Sequence, residues 1–143
     1  MRRVTTENQE YLRGWLSKVL GMQFSDYSRF IGQEIDGEIQ AVVGFDNIMD
    51  KSCCMHVGAL VPNWISKDLL WASFDYPFNI LKLKVILALV SSNNTEALKL
   101  DRHLGFVDKA YIEDAHLDGD LVILAMRREN CRWLDIKSSL KGA

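Results

Sequence analysis

Residues that interrupt or cross-link a chain are scarce in this sequence. Its 143 residues include two prolines and three cysteines, and two of those cysteines, Cys53 and Cys54, are adjacent. An odd number of cysteines without regular spacing is not typical of a disulfide framework, and it favours a reducing cytoplasm. Linkers, repeats and low-complexity stretches are also missing. The sequence therefore predicts one domain over residues 1–143, in which residues 129–143 form a tail or a docking segment.

Strong net charge and long apolar runs are missing as well. The formal net charge of −2 gives the chain no overall attraction to nucleic acid or to an anionic membrane. Its apolar runs are too short to cross a bilayer, which takes about 20 helical residues. The polar stretch at residues 5–10 stands where a secretory signal needs apolar residues. We therefore expect neither nucleic acid nor a membrane among its partners.

Hydrophobic periodicity predicts helices and strands in mixed order. Apolar residues at helical spacing predict a helix over Thr6–Leu20, and a later helix that begins at Ser66 must bend or end at Pro77. Asp36-Gly37 and Asp118-Gly119-Asp120 are typical of hairpin turns. The predicted strands are Met1–Val4, Tyr27–Ile35, Glu38–Asp46, Ser52–Val61, Val85–Val90, Phe106–Ala115 and Leu121–Arg128. The predicted fold class is α/β, with a mixed, mostly antiparallel twisted sheet and helices on both faces.

The segment Val85–Phe106 has the most specific pattern. An apolar strand ends at the polar stretch SSNN, residues 91–94, and an amphipathic helix follows. The match of Asn94-x-x-Ala97-Leu98 with Leu104-Gly105-Phe106, together with the order of the elements, resembles the GCN5-related N-acetyltransferase (GNAT) superfamily over nearly the whole chain. Three further segments resemble, more narrowly, small acetyltransferase-like proteins of phages and bacteria. These segments are Gly44-Phe45-Asp46, Met55-His56-Val57 and Asp101-Arg102-His103-Leu104.

The resemblance implies acetyl transfer from acetyl-CoA, as co-substrate, to an amine. In the superfamily the strand matching Ser52–Val61 diverges from the strand matching Val85–Val90, and the amide-rich arm of coenzyme A pairs with the exposed backbone of the first strand. Backbone N–H groups around Gly58–Leu60 would polarise the thioester carbonyl. The pyrophosphate lies at the N-terminus of the next helix. The cofactor-binding residues implied here are Ala59, Leu60, Val61, Asn63, Ser66, Lys67, Ser92, Asn93 and Asn94.

The phosphate-binding loop departs from the pattern of the superfamily. That loop is usually Arg/Gln-x-x-Gly-x-Gly/Ala, because glycine lets the backbone approach the phosphates. Here the shorter stretch Val61–Lys67 contains no glycine. Ser66 can cap the following helix and Lys67 can supply positive charge, so phosphate binding is expected to be altered in shape and strength.

The acid position departs as well. Many members carry a tyrosine seven residues after the motif asparagine, where it protonates the leaving thiolate; here that residue is Asp101. An aspartate serves as an acid near neutral pH only if burial raises its pKa strongly. The alternatives are a solvated Asp101, paired with Lys99 or Arg102, and Tyr111 of the next strand as a substitute donor.

His56 is the predicted general base that takes a proton from the acceptor amine. It lies in the middle of the strand Ser52–Val61, and histidine accepts protons readily near neutral pH. Asp46, at the end of the preceding strand, is the third catalytic candidate, because it can orient His56 or bind the amine. The alternatives are a hydrogen-bonded structural histidine and an aspartate that forms a turn with Asn47.

The remaining polar residues give weaker predictions of a functional site. His103 and His116 lack a companion at metal-ligand spacing, and Cys53 and Cys54 point to opposite faces of a strand, so no metal site is expected. Four carboxylates within residues 113–120 would attract a cationic amine if the last hairpin shapes the acceptor pocket. A solvated hairpin tip is the alternative.

Two classes of function follow from these observations. The first is an acetyl-CoA-dependent N-acetyltransferase whose acceptor is a primary amine of a small molecule or a peptide. The second is a catalytically degraded acetyltransferase-like module that binds or modulates a partner protein, which the glycine-free loop favours. A homodimer is a further prediction, because Leu121–Arg128, taken as an edge strand, needs protection from solvent.

Overall fold

A seven-stranded sheet forms the centre of the protein in a computed structural model that describes residues 1–141. The strands are β1 (Arg2–Thr5), β2 (Arg29–Ile35), β3 (Glu38–Asp46), β4 (Ser52–Ala59), β5 (Val85–Ser91), β6 (Val107–His116) and β7 (Gly119–Arg127). The helices are α1 (Gln9–Leu20), α2 (Lys67–Asp75) and α3 (Thr95–Leu104). The strands lie in the order β1-β2-β3-β4-β5-β7-β6, and each neighbouring pair is antiparallel except β4 and β5.

Helix α1 packs directly on the backbone of β2, β3 and β4, because three glycines lie beneath it. A Cβ atom added to Gly32 would lie 2.8 Å from Leu12 Cδ2, and one added to Gly44 would lie 2.7 Å from Leu16 Cδ2. A Cβ atom on Gly58 would lie 2.8 Å from the other methyl group of the same Leu16. The core on this face consists of Leu12, Leu16, Phe30 and Val42.

Helices α2 and α3 cover the opposite face and enclose the larger core. Pro77 has no N–H to donate to the carbonyl of Ser73, and α2 accordingly gives way to a π-helical turn over Tyr76–Ile80, which confirms the expected interruption. Helix α3 begins at Asn94 and ends at Gly105, whose φ of 113° suits glycine. The core on this face includes Phe45, Phe74, Phe78, Ile86, Leu98, Phe106 and Leu124. The predicted fold class, with helices on both faces, is confirmed.

Strands β4 and β5 pair only where both begin. Their parallel register joins residues 52–54 to residues 85–87, and no further pairing between them follows within the described chain. Each strand keeps its other neighbour, since β4 stays paired to β3 and β5 to β7. The sheet therefore opens into a wedge between residues 55–59 and residues 88–91, and this divergence is the one that the resemblance implies.

The last strands differ from the prediction. Leu121–Arg128 was expected to be an edge strand, but β7 lies between β5 and β6, so that argument for a homodimer is wrong. The edge is β6, which follows β7 in sheet order because the two form a hairpin. It carries four charged residues and two irregularities in its pairing, features that protect a free edge from association.

The C-terminal segment lies against the body of the protein. The Trp133 side chain donates from Nε1 to Leu104 O at 2.7 Å, and its indole packs on the larger core. Residues 142 and 143 of the predicted segment 129–143 lie outside the described residues. Among residues 1–141, no helix combines the length and the apolar composition needed to cross a membrane.

Replacing Gly44 by alanine is expected to lower the free energy of unfolding by about 1–3 kcal/mol, because the added Cβ meets both Leu16 and the ring of Phe30. Gly14 is the matched control, since it lies on the exposed side of α1 with no atom within 4 Å of an added Cβ. Gly14→Ala should raise the free energy of unfolding by about 0.5–1 kcal/mol. Urea denaturation measures both changes, and a stable Gly44→Ala variant would contradict the close seating of α1.

Candidate active site

The backbone of β4 presents unpaired hydrogen-bonding groups to the wedge. Leu60 N–H donates to Gln40 O at 2.9 Å, which fixes the alternation of the antiparallel β3–β4 ladder. The N–H and C=O groups of Val57 and Ala59 therefore point into the wedge, beyond the last rung of the β4–β5 ladder at Cys54 and Leu87. An extended ligand with amide groups can bond to them. Of the two predicted residues at the end of the strand, Ala59 offers its N–H to the wedge, whereas that of Leu60 is engaged.

His56 and Asp46 form a hydrogen-bonded pair on the α1 face of the sheet. The distance from His56 Nε2 to Asp46 Oδ1 is 2.7 Å, and the side chains are 12% and 23% exposed. In the β3–β4 register Gly44 lies opposite His56 and Asp46 lies opposite Cys54, which puts both side chains on one face. Because the carboxylate accepts the bond, Nε2 carries the proton of the neutral ring and Nδ1 keeps a lone pair. The hydrogen bond orients the imidazole, and a role of His56 as general base stays a prediction.

Asp101 lies on the inward side of α3. It stands three residues from both Leu98 and Leu104, which are buried, and burial raises the pKa of its carboxyl to about 6. Arg102, an expected partner, instead pairs with Asp108 at 2.8 Å. In the described part of the chain Asp101 makes no ion pair. The environment thus meets the condition that an aspartate must satisfy to act as an acid near neutral pH.

The loop before α2 is held by polar contacts from two strands. The Arg2 guanidinium donates to Asn63 O at 2.5 Å. Ser66 Oγ donates to Gln33 Oε1 at 2.6 Å and accepts from Leu69 N–H at 3.0 Å, so Ser66 caps the helix as predicted. Gln33 is fully buried within β2. These bonds hold the glycine-free loop against β1 and β2.

Charges of both signs surround the first turn of α2. The N–H groups of Lys67 and Asp68 have no partner inside the helix, because they belong to its first residues. The Asp68 carboxylate accepts three hydrogen bonds of 2.6–2.9 Å from Ser138 and Ser139, which hold its pKa below the ordinary value. Lys67 and Lys137 line the open groove beside it. An anion at this position would meet two ammonium groups and one carboxylate.

The three predicted polar residues after β5 hold neighbouring elements in place. Ser92 N–H donates to Asp120 O at 2.9 Å, and Ser92 Oγ accepts from Asp120 N–H at 3.2 Å. The Asn93 amide donates to Asp118 O, and the Asn94 side chain caps α3. These bonds attach the β6–β7 hairpin to the end of β5. A role of Ser92, Asn93 and Asn94 in cofactor binding stays a prediction.

The other candidate acids and nucleophiles of the sequence lie in surroundings that do not favour acid or nucleophilic catalysis. Tyr111 is 61% exposed on the edge strand, where its hydroxyl donates to Asp120 Oδ2 at 2.5 Å and that bond raises its pKa. Burial raises the pKa of the Cys53 thiol to about 12 and also raises those of Cys54 and Cys131. Within residues 1–141, no three His, Cys, Asp or Glu side chains come together as metal ligands.

Many solved structures share this architecture. Mutant forms of the spermidine/spermine N-acetyltransferase of Vibrio cholerae align with a TM-score of 0.74 at 16% identity, over 94% of this chain and 98% of theirs. A dodecameric structure of spermidine N-acetyltransferase from the same organism aligns at 0.72 and 15% identity, over 90% and 94%. The N-acetyltransferase PseH of Campylobacter jejuni, in complex with acetyl coenzyme A, aligns at 0.60 and 22% identity, over 90% and 99%.

The chain has the GNAT fold. No protein-family model matches its sequence, and no curated protein matches it either. The fold is therefore recognised through the arrangement of its elements, and the predicted resemblance to the superfamily is confirmed at the level of fold.

Several residues that shape this GNAT fold are invisible to local sequence patterns. The contact of Arg2 with Asn63 spans 61 residues, and that of Ser139 with Asp68 spans 71. Periodicity and short motifs extend over a few residues only, so they carry no signal for either contact.

The Asp101→Asn variant is expected to gain stability at pH 8 by about 1–3 kcal/mol relative to the parent chain. Between about pH 4 and 6 the folded protein keeps the proton that the unfolded chain has lost, so the free energy of unfolding falls as the pH rises through that range. The asparagine amide of the variant does not ionise, so the variant does not lose stability in this way as the pH rises. Urea denaturation at pH 4 and pH 8 measures the difference, with Asp50→Asn as the control; an equal effect at both pH values would contradict the raised pKa.

Proposed function

We propose that the protein is an N-acetyltransferase that moves an acetyl group from acetyl-CoA to a primary amine. The observation that carries the proposal is the wedge. Its unpaired backbone groups lie in β4, the strand of His56, and the ring of His56 pairs with Asp46 of β3. The neighbours described as spermidine N-acetyltransferases, and the one described in complex with acetyl coenzyme A, support it. Catalysis would depend on positioning and on proton transfers, for which the chain has suitable side chains.

Acetyl-CoA is proposed to bind along β4. Its amide-containing arm would pair with the backbone of Val57 and Ala59, the positions that β5 leaves open. The pyrophosphate would lie at the start of α2, where the N–H of Lys67 and its ammonium group attract an anion. Val61 and Asn63 would border the arm between these two sites.

The chemistry is a direct attack by the amine. His56 Nδ1 would accept a proton from the acceptor nitrogen, which then forms a C–N bond with the thioester carbonyl carbon. N–H groups of β4 that face the wedge would stabilise the oxygen as it gains negative charge. The C–S bond breaks next: the thiolate of coenzyme A takes a proton from Asp101, and the new amide nitrogen releases its second proton to solvent. The products are an N-acetylated amine and free coenzyme A.

The acceptor is proposed to be a small cationic amine. The Asp46 carboxylate beside His56 would attract an ammonium group to the α1 side of the wedge. The acidic tip of the β6–β7 hairpin would add to this attraction, and Ser92 and Asn93 hold that tip against the end of β5. The Vibrio neighbours are described as spermidine N-acetyltransferases, and spermidine belongs to this chemical class.

The alternative, a module that binds a partner protein and has lost turnover, draws its support from the start of α2. The Asp68 carboxylate stands in the first turn, where a phosphate would gain most from the helix dipole. The docked residues Ser138 and Ser139 reinforce that arrangement. In such a module the wedge would be a remnant of an ancestral enzyme.

Association between copies and a cytoplasmic location complete the proposal. The dodecameric Vibrio neighbour supports association between copies. The three cysteines are free thiols, which suits a reducing compartment.

Acetyl-CoA and coenzyme A are expected to bind with dissociation constants below 1 mM and to raise the melting temperature, because both carry the arm that pairs with β4. Isothermal calorimetry and thermal denaturation measure this binding. Desulfo-coenzyme A is a further probe, and adenosine diphosphate, which has the pyrophosphate but lacks the amide-containing arm, is the control. If none of the coenzymes binds at millimolar concentration, the enzyme proposal fails and the partner-binding alternative is favoured.

His56→Gln is expected to lower kcat by about 100–1,000-fold and Asp46→Asn by about 10-fold, because the first removes the base and the second its orienting carboxylate. The KM for acetyl-CoA should change less than about threefold, since neither side chain belongs to the proposed cofactor site. Steady-state assays with spermidine and simpler diamines supply both constants. His103→Gln, at the exposed end of α3, is the matched control, and an unchanged kcat in His56→Gln would remove the base from the mechanism.

A further inference from the structure

A row of three residues crosses the sheet at His56. In the registers of β2, β3 and β4, Phe30 pairs with Gly44 and Gly44 pairs with His56, so the three residues form one row. Neighbours in such a row lie about 5 Å apart, which separates Phe30 from His56 by about 10 Å. Gly44 has no side chain between them, and Leu16 of α1 and the Phe30 ring lie over its backbone. The imidazole therefore receives no support from a side chain of β3 at that position.

Phe24 fills the space between the two rings. Its ring centroid lies 5.4 Å from that of Phe30 and 5.5 Å from that of His56, with interplanar angles of 86° and 71°. Both are edge-to-face arrangements at distances where aromatic rings attract each other. Phe24 thus contacts the imidazole while Asp46 holds its Nε2 atom.

The loop that carries Phe24 is attached to α1 and to itself. Asp26 accepts a hydrogen bond from Arg13 of α1 at 3.0 Å. Ser28 N–H donates to Ser25 O at 3.1 Å, and the two serine hydroxyls lie 3.4 Å apart. Since α1 rests on the glycines of the sheet, the position of Phe24 is linked to the position of β4.

We infer that Phe24 is a positioning residue for His56, an inference that rests on the proposed acetyl transfer. The bond from Asp46 holds one ring nitrogen but leaves the imidazole free to pivot about it. The edge-to-face contact removes this freedom and keeps Nδ1 directed at the acceptor nitrogen.

Kinetics of Phe24 variants test the inference. Phe24→Leu should lower kcat by about 10–100-fold with the KM for acetyl-CoA changed less than threefold, and Phe24→Tyr should restore most of the rate because it restores the ring. Phe24→Met, which keeps most of the volume, is the second variant should the leucine variant fold poorly. Tyr27→Leu, 84% exposed in the same loop, is the control. A parental kcat in folded Phe24→Leu or Phe24→Met overturns the inference.

Nitrogen-15 NMR of the histidine rings separates this inference from the proposed function, because it needs no turnover. The parent chain should show His56 as the Nε2-protonated tautomer, identified by the loss of its signals in His56→Gln. Phe24→Leu and Phe24→Met should shift these signals toward the tautomer mixture of a mobile ring, whereas Tyr27→Leu should leave them unchanged. An unaltered His56 spectrum in both Phe24 variants overturns the inference even if the enzyme is active. Altered spectra in an inactive parent chain keep the positioning role and reject the acetyl transfer.

Discussion

The structure depends on a parallel pairing that stops after three residues. Strands β4 and β5 share a ladder over residues 52–54 and 85–87 and then separate, although both continue for several residues. A buried backbone group without a partner costs about 1–3 kcal/mol, so such a gap persists only where water or a ligand reaches it. Val57 and Ala59 are partly exposed, and their free N–H and C=O groups can therefore be solvated. The opening lies in a sheet that is otherwise paired.

The candidate site takes residues from both faces of the sheet, and the two faces are packed in different ways. On one face the larger core holds α2 and α3, and with them Lys67 and Asp101. On the other face α1 rests on glycine backbone, and its loop brings an aromatic ring to His56. A ligand in the wedge would meet both faces. Small shifts of either layer would change the distance between His56 and Asp101.

The sequence predicted those parts of this arrangement that depend on residues close together in the chain. The segment Val85–Phe106 folds as expected, with Asn94 as the cap of α3 and Gly105 at its end, because caps and apolar runs are encoded within a few residues. His56 contacts Asp46 because antiparallel neighbours are held in register, and of the alternatives for Asp46 the orienting role stays a prediction. Sheet order was harder, and β7 proved to be an interior strand. Strand order depends on crossovers, which periodicity does not encode.

The burial of Asp101 and the contacts of Asp68 could not be predicted for a related reason. Whether a helical carboxylate faces solvent or core depends on the rotation of the helix about its own axis. In α3 this rotation turns Asp101 away from the exposed polar face. Asp68 obtains its partners from residues 70 and 71 positions later in the chain. Long-range side-chain contacts of this kind leave no trace in composition or spacing.

The two halves of the proposed cofactor site differ in how they would bind. Along β4 the partners are neutral backbone dipoles, whose hydrogen bonds depend little on ionic strength. At α2 the partners are Lys67, Lys137 and Asp68, so a phosphate would gain from two ammonium groups and be opposed by one carboxylate. Exposed charges of opposite sign cancel much of each other's field within a Debye length of about 8 Å. Affinity in this protein would therefore reside mainly in the arm along β4, and a loop without glycine can be tolerated because the phosphates contribute less.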